Sequence, residues 1–344
     1  MKERAIITQT LPPRDWDSRA ADIITEPAEL YRRLALDPAT LPAALAASRD
    51  FQFKVPASFV GRMRRGDPRD PLLLQVLGAA EELQSVPGFS ADPLDEAAYT
   101  PVPGILHKYP GRVLLMVTGA CAIHCRYCFR RHFPYQDHLP DATRQQAMLD
   151  WLRARQDIQE VILSGGDPLS LSDRRLRDWC EALAGIASLR RLRLHSRLPV
   201  VMPDRVSEGL LSMLASTRLT PVLVIHANHA AELDQQVADA LSALRHAGVQ
   251  LLNQAVLLRG VNDDLAALLA LSERLAELQV QPYYLHQLDA VAGAAHFAVA
   301  DARALQLVHA LRARLPGYLV PTLVREVPGE QAKRPLTGEV EPSG

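Results

Sequence analysis

Residues 112–130 read Arg-Val-Leu-Leu-Met-Val-Thr-Gly-Ala-Cys-Ala-Ile-His-Cys-Arg-Tyr-Cys-Phe-Arg. The first six residues are rich in leucine and valine, the composition of a buried strand. A glycine breaks the run, and Cys121, Cys125 and Cys128 then fall within eight residues in the spacing CxxxCxxC. In α/β proteins, sites form at the carboxyl ends of parallel strands. The stretch therefore predicts a first strand that delivers a cysteine cluster to such an end.

Working outward, five more short apolar runs follow: 160–163, 191–195, 221–226, 250–255 and 282–285. Helical stretches alternate with them at 143–155, 173–187, 205–215, 233–247, 265–278 and 302–314. Ser172 or Asp173 suits an N-cap and Gly248 a C-cap. Near-continuous apolar strands alternating with helices argue for a parallel sheet covered by helices. Six such units predict an α/β fold of the partial (β/α)6, TIM-like barrel kind rather than a closed eight-unit barrel.

Upstream, residues 27–49 and 71–83 carry helix-period leucines and alanines, punctuated by Asp67-Pro68, Asp70-Pro71 and Asp92-Pro93. This predicts a helical N-terminal region and linker over 1–105, the barrel over 106–315 and a C-terminal segment over 316–344.

The bulk numbers exclude several classes. Lys+Arg 38 against Asp+Glu 39 gives a net charge of -1, with no basic stripe for nucleic acid. No apolar run approaches the ~18 residues of a membrane span. Residues 1–16 are polar and lack a signal-peptide core, so the expected address is the cytoplasm, with no membrane partner. Of four cysteines, three are clustered, which reads as metal ligation rather than a disulfide framework. Cys180, alone in a helical stretch, reads as a buried structural thiol.

Three thiolates can hold three irons of a 4Fe–4S cluster and leave the fourth open to a small molecule. Electron-transfer clusters use four cysteines instead. The competing reading is a structural zinc completed by His107, His124 or His132, although no second knuckle is present.

CxxxCxxC with an aromatic residue before the last cysteine, Tyr127, resembles the radical S-adenosylmethionine (SAM) superfamily. The resemblance implies that the open iron chelates SAM, that the reduced cluster cleaves it to a 5′-deoxyadenosyl radical, and that Tyr127 packs near the adenine. Ser164-Gly165-Gly166-Asp167-Pro168 is similar to the family's glycine motif, which makes Gly165, Gly166 and Asp167 candidate SAM contacts. His226, at the end of the fourth strand, is another. Alone, such a turn is weak; glycines let a backbone approach a ligand closely.

More of the chain, from about residue 109 to 333, resembles the lysine 2,3-aminomutase family. The stretches are Tyr109-Pro-Gly-Arg112, Cys128-Phe-Arg130-Arg131, Asn253-Gln254 through Asn262-Asp263, Pro282 through Asp289, and Gly317 through Thr322. That resemblance implies pyridoxal 5′-phosphate (PLP) as a further cofactor. PLP requires a lysine, and the chain has four: Lys2, Lys54, Lys108 and Lys333. Lys333 matches the family's PLP lysine, although Gly329 stands where longer members have a run of glycines. The resemblance also puts Tyr109 and Arg112 near PLP. It makes Arg130 the substrate-carboxylate ligand, for which a planar guanidinium is suited. Asp289 and Glu326 become the ligands of the substrate's distal ammonium; the second is Asp in well-known members.

The implied enzyme is an isomerase that moves an amino group from (S)-α-lysine to give (R)-β-lysine. The short length, without cysteines beyond Cys180, resembles the bacterial branch that works with a β-lysine ligase on elongation factor P. The resemblance also implies an electron donor such as flavodoxin or ferredoxin. Other readings are a related aminomutase acting on arginine, for instance, and a non-catalytic Fe–S protein. Paired acids at the distal end disfavour a glutamate enzyme.

Overall fold

The computed structural model describes residues 23–138 and 140–338. Residues 1–16, read above for a targeting signal, lie outside them, as do the last six of the tail. The sheet contains β1 (Ile105–Tyr109), β2 (Arg112–Thr118), β3 (Glu160–Gly165), β4 (Arg191–Ser196), β5 (Thr220–Ile225), β6 (Gln250–Val256), β7 (Gln281–His286), β8 (Thr322–Arg325) and β9 (Arg334–Pro335). Neighbours in the sheet follow chain order from β1 to β9. Strands β2 to β8 are parallel, while β1 and β9 add antiparallel edges.

The α/β expectation is borne out, with helices after β2 to β7 at Ala142–Arg153, Asp173–Ala184, Glu208–Ser216, Gln235–His246, Leu265–Glu277 and Asp301–Arg312. Ser172 caps the second of these by accepting from Arg175 N at 3.4 Å. Gly248, at φ +82°, follows the cap residue Ala247. The two edge strands do not pair with each other, so the barrel is open.

Three differences from the sequence reading have physical causes. The tail supplies a seventh parallel strand, β8, whose four residues between Pro321 and Pro328 are too few to show a period. The stretch 27–49 is two helices, Pro27–Leu34 and Leu41–Asp50, broken where Ala35 turns left-handed at φ 53°. The stretch 71–83 contains only a single α-turn, Pro71–Leu74, and a 3-10 turn, Ala80–Leu83. Gly78 between them packs so closely that a Cβ there would lie 2.8 Å from Ala47 Cβ.

Strand β4 shows how the barrel makes a site. Its residues alternate Arg191, Leu192, Arg193, Leu194, His195, and the two leucines are fully buried in the core. Side chains on a strand alternate between faces, so the other face carries Arg193 and His195. The inner face of this barrel is therefore polar in part, unlike the packed lumen of a closed barrel. No helix among the described residues is long and apolar enough to cross a membrane.

Candidate active site

The cysteine loop leaves β2 and is held from two sides. The N-terminal region clamps it through His124 N to Lys54 O (2.9 Å) and Arg126 N to Gln75 O (2.9 Å). Arg126, fully buried, adds an ion pair to Glu82 at 2.5 Å and donates to Phe51 O at 2.6 Å. On the other side, Gly166 N donates to Thr118 O (2.7 Å) and Asp167 N to Ala120 O (2.8 Å). A Cβ on Gly166 would lie 2.4 Å from Ala120 O, and Gly165 sits at φ +109° with Thr118 O 2.6 Å from where its Cβ would be. Gly166 is thus required by contact with the cysteine loop itself, and Gly165 by its backbone conformation and its contact with the end of β2.

The three thiols share one electrostatic environment. Burial, then Asp167, Cys128 and Cys125, push the Cys121 thiol well up, and burial with Cys125 pushes Cys128 up to about 11. Mutual repulsion among thiolates is what bound iron relieves, so the triad fits a cluster. The three histidines of the zinc reading are occupied elsewhere. His124 stacks on Phe51 at 5.2 Å, His107 meets Trp151 edge-on at 5.5 Å, and His132 Nε2 contacts Ala292 O at 3.2 Å. Among the described residues, no three His, Cys, Asp or Glu side chains converge on a single-ion site. Cys180 is buried, which pushes its thiol up to about 12.

Tyr127 is buried against Phe297, Leu258 and Val261. Its hydroxyl accepts from Asn228 Nδ2 at 2.7 Å and lies 3.4 Å from His226 Nε2. Burial, then Arg197, pushes His226 down to about 4, leaving a neutral imidazole at neutral pH. The Asp167 carboxylate is occupied by four donors: Leu169 N (3.0 Å), Ser196 Oγ (2.7 Å), Arg197 N (2.8 Å) and Leu198 N (3.1 Å). It ties the β3 loop to the β4 loop.

Across the open edge, the two ends of the sheet meet through side chains. Glu326, just after β8, accepts from Lys108 at 3.0 Å and from Tyr109, both on β1, and its second oxygen pairs with Lys333. Gly329 N donates to Tyr99 Oη at 2.5 Å, and Gly329 itself takes φ +86°. Although burial pushes the Glu326 carboxyl up, Lys333, Tyr109 and Lys108 hold it down to about 2. Two of the four lysines therefore converge on one carboxylate. Arg112 lies over the Tyr109 ring at 4.5 Å.

Lys333 also reaches the electrostatic environment of the inner face. Burial, then Arg193, Lys333 and Arg130, push His195 well down, and its buried Nε2 has no hydrogen-bond partner among the described residues. Burial, then Lys333, does the same to His286. An inner face with Lys333, Arg112, Arg193 (ion-paired to Glu160) and an imidazole Nε2 without a partner among the described residues fits a phosphate-bearing cofactor. Burial raises the Asp289 carboxyl to about 7 despite Lys333, with Glu326, Lys108 and Glu96 also in its field. Arg130 is buried and already bidentate to Glu96, through Nε at 2.8 Å and Nη2 at 2.7 Å. Its Nη1 edge meets only Gly165 O, at 3.5 Å, among the described residues.

Sequence reasoning missed Lys108, Glu96, Arg197 and Glu232. Lys108 carried a signal, as one of four lysines in a chain rich in arginine.

The radical SAM superfamily model matches residues 115–271. The chain is 48% identical over 334 residues to an L-lysine 2,3-aminomutase of Escherichia coli, across 96% of this chain and 97% of that one. It is 44% identical to an L-lysine 2,3-aminomutase of Haemophilus influenzae, across 93% and 95%. To an L-lysine 2,3-aminomutase of Clostridium subterminale it is 34% identical, across 94% of this chain and 77% of that one.

Proposed function

This chain belongs to the lysine 2,3-aminomutases of the radical SAM superfamily, and from that premise we propose that it converts (S)-α-lysine to (R)-β-lysine inside its open barrel. Members use a 4Fe–4S cluster, SAM and PLP. When bound, these groups supply the abstracting radical and the carrier of the migrating nitrogen. The protein supplies binding, orientation and exclusion of side reactions.

Cys121, Cys125 and Cys128 would hold the cluster and leave one iron open. The backbone at Gly165 and Gly166, together with Tyr127 and His226, would bind SAM. Asp167 would serve through its peptide, since its carboxylate already has four donors. Lys333 would hold PLP, with Tyr109 and Arg112 beside it. Arg130 would take the substrate carboxylate on its Nη1 edge, braced by Glu96 on the other. Asp289 and Glu326 would take the distal ammonium. Because Lys333 already pairs with Glu326, the substrate ammonium and Lys333 compete for that carboxylate.

One observation supports this reading most strongly. Lys333, which immediately precedes β9, meets Glu326, and its charge acts on Asp289, His195 and His286, beside the sheet whose first parallel strand delivers the cysteine triad. A further step rests on the resemblance to the bacterial branch described above. The β-lysine would pass to a ligase that modifies elongation factor P, and a flavodoxin or ferredoxin would reduce the cluster.

The test is anaerobic reconstitution with iron, sulfide and PLP, reduction, and addition of SAM and L-lysine, with products resolved by chiral chromatography. β-Lysine from the wild type, absent with Lys333→Ala and Cys125→Ala, is the expected result. SAM cleavage without β-lysine would overturn the substrate.

A further inference from the structure

Arg197 follows β4 and reaches back to the cysteine loop. Its Nη1 donates to Cys125 Sγ at 2.8 Å. Its Nη2 donates to Gln75 Oε1 at 2.6 Å and to Glu232 Oε2 at 3.0 Å. The Arg197 and Glu232 side chains are 5% and 0% exposed. Glu232 is fixed in turn by Asn228 N (2.8 Å), His229 N (3.0 Å) and Gln75 Nε2 (3.1 Å). Asn228 Nδ2 also holds Gln75 Oε1 at 2.9 Å. Elements from the N-terminal region, from β4 and from the loop after β5 thus fix the aim of one guanidinium at one thiol.

We propose that Arg197 is a positioning residue that raises the reduction potential of the cluster through Cys125, and that Glu232 opposes it. The inference rests on the assignment of Cys121, Cys125 and Cys128 as cluster ligands. On reduction, the cluster core takes one electron from an external low-potential one-electron donor and passes from the 2+ to the 1+ state. No bond is made or broken, and no proton moves. The reduced cluster carries one more negative charge, so a cationic N–H donor at a ligating sulfur stabilises it more than the oxidised form. A buried carboxylate does the reverse. Both effects are strong here because little water screens them.

If Arg197 only tied loops together, its removal would change stability and leave the potential alone. The potential therefore separates the two roles. The experiment is an EPR-monitored redox titration of the reconstituted full chain, wild type and variants, with iron and sulfide measured on each sample. Arg197→Met is expected to shift the midpoint to more negative potential, and Arg197→Lys, which keeps the charge, to restore part of it. Glu232→Gln is expected to shift it to more positive potential. Loaded variants with the wild-type midpoint would overturn the proposal. If Arg197→Met holds no cluster, Glu232→Gln decides: a positive shift supports the proposal and an unmoved midpoint overturns it. A wild-type chain that binds no cluster would instead overturn the ligand assignment, and the proposal with it.

Discussion

The cysteine loop and the seam between β1 and the C-terminal hairpin are both built from charged groups out of water, but in different ways. In the loop, the reactive side chains are close in sequence, and the tertiary structure supplies only their supports. At the seam, partners 218 residues apart, Lys108 and Glu326, meet only because the sheet curls its edges together. Local spacing encodes the first region, whereas topology alone produces the second. The same contrast separates their charges. The loop brings three thiols together and meets them with guanidinium groups, Arg197 at Cys125 Sγ and Arg130 and Arg131 near Cys128. The seam gathers two lysines on one carboxylate and closes on itself.

The largest expected effect is on the loop. Cys125→Ala should abolish cluster binding, read as loss of iron and labile sulfide, while the PLP absorbance of the reconstituted chain remains. Loss of PLP as well would break the comparison by showing that the two regions fold as one unit.

At the seam, Glu326→Gln leaves Lys108 and Lys333 without their shared counter-charge. Removing one partner of a buried pair costs about 3 kcal/mol, so the urea midpoint should fall clearly. By contrast, Glu29→Gln at the exposed Arg33 pair should cost no more than about 1 kcal/mol. The Glu326 carboxyl is depressed, so its stabilisation is fully present above the ordinary value of 4.5 and is lost as pH falls towards about 2. The wild type should therefore lose more stability than Glu326→Gln across that window in acid titrations followed by circular dichroism.

Asp289 sharpens the comparison further. Asp289→Asn should raise KM for lysine about thirty-fold, the equivalent of about 2 kcal/mol, with SAM cleavage little changed. In the wild type, an acid raised to about 7 is neutral below that pH and charged above it. KM for lysine should therefore fall as pH rises through about 7, and the slope should be absent in Asp289→Asn. A slope that persists in the variant would assign the titration to another group.

The smallest expected effect is at Arg130. Glu96→Gln keeps a neutral partner for the guanidinium, so KM should change by only a few-fold, whereas Glu96→Ala should cost more by freeing the side chain.

Much of the fold could be read in the sequence because apolar strands and helices of ordinary length carry their own periodicity. Helix boundaries fell within a few residues wherever a cap such as Ser172 marked them. β8 escaped because four residues cannot show a period, and the N-terminal breaks escaped because Ala35 and Gly78 act through backbone geometry and close packing. Within the candidate site, the cysteines, the glycine pair and Lys333 were visible as local patterns or as a resemblance. Lys108, Glu96, Arg197 and Glu232 were not, because buried ion pairs between distant segments leave no local trace.

The sequence by itself determined the alternation of strand and helix, the triad at the end of β2, and a set of only four lysines, among which the family resemblance picks Lys333. Only the tertiary structure decided which charges meet. It set Glu96 against Arg130, two lysines against Glu326, and Arg197 against Cys125. Strand order, register and the curl of the open sheet fix those distances, and the energy of a buried charge depends on its neighbours in space rather than in sequence.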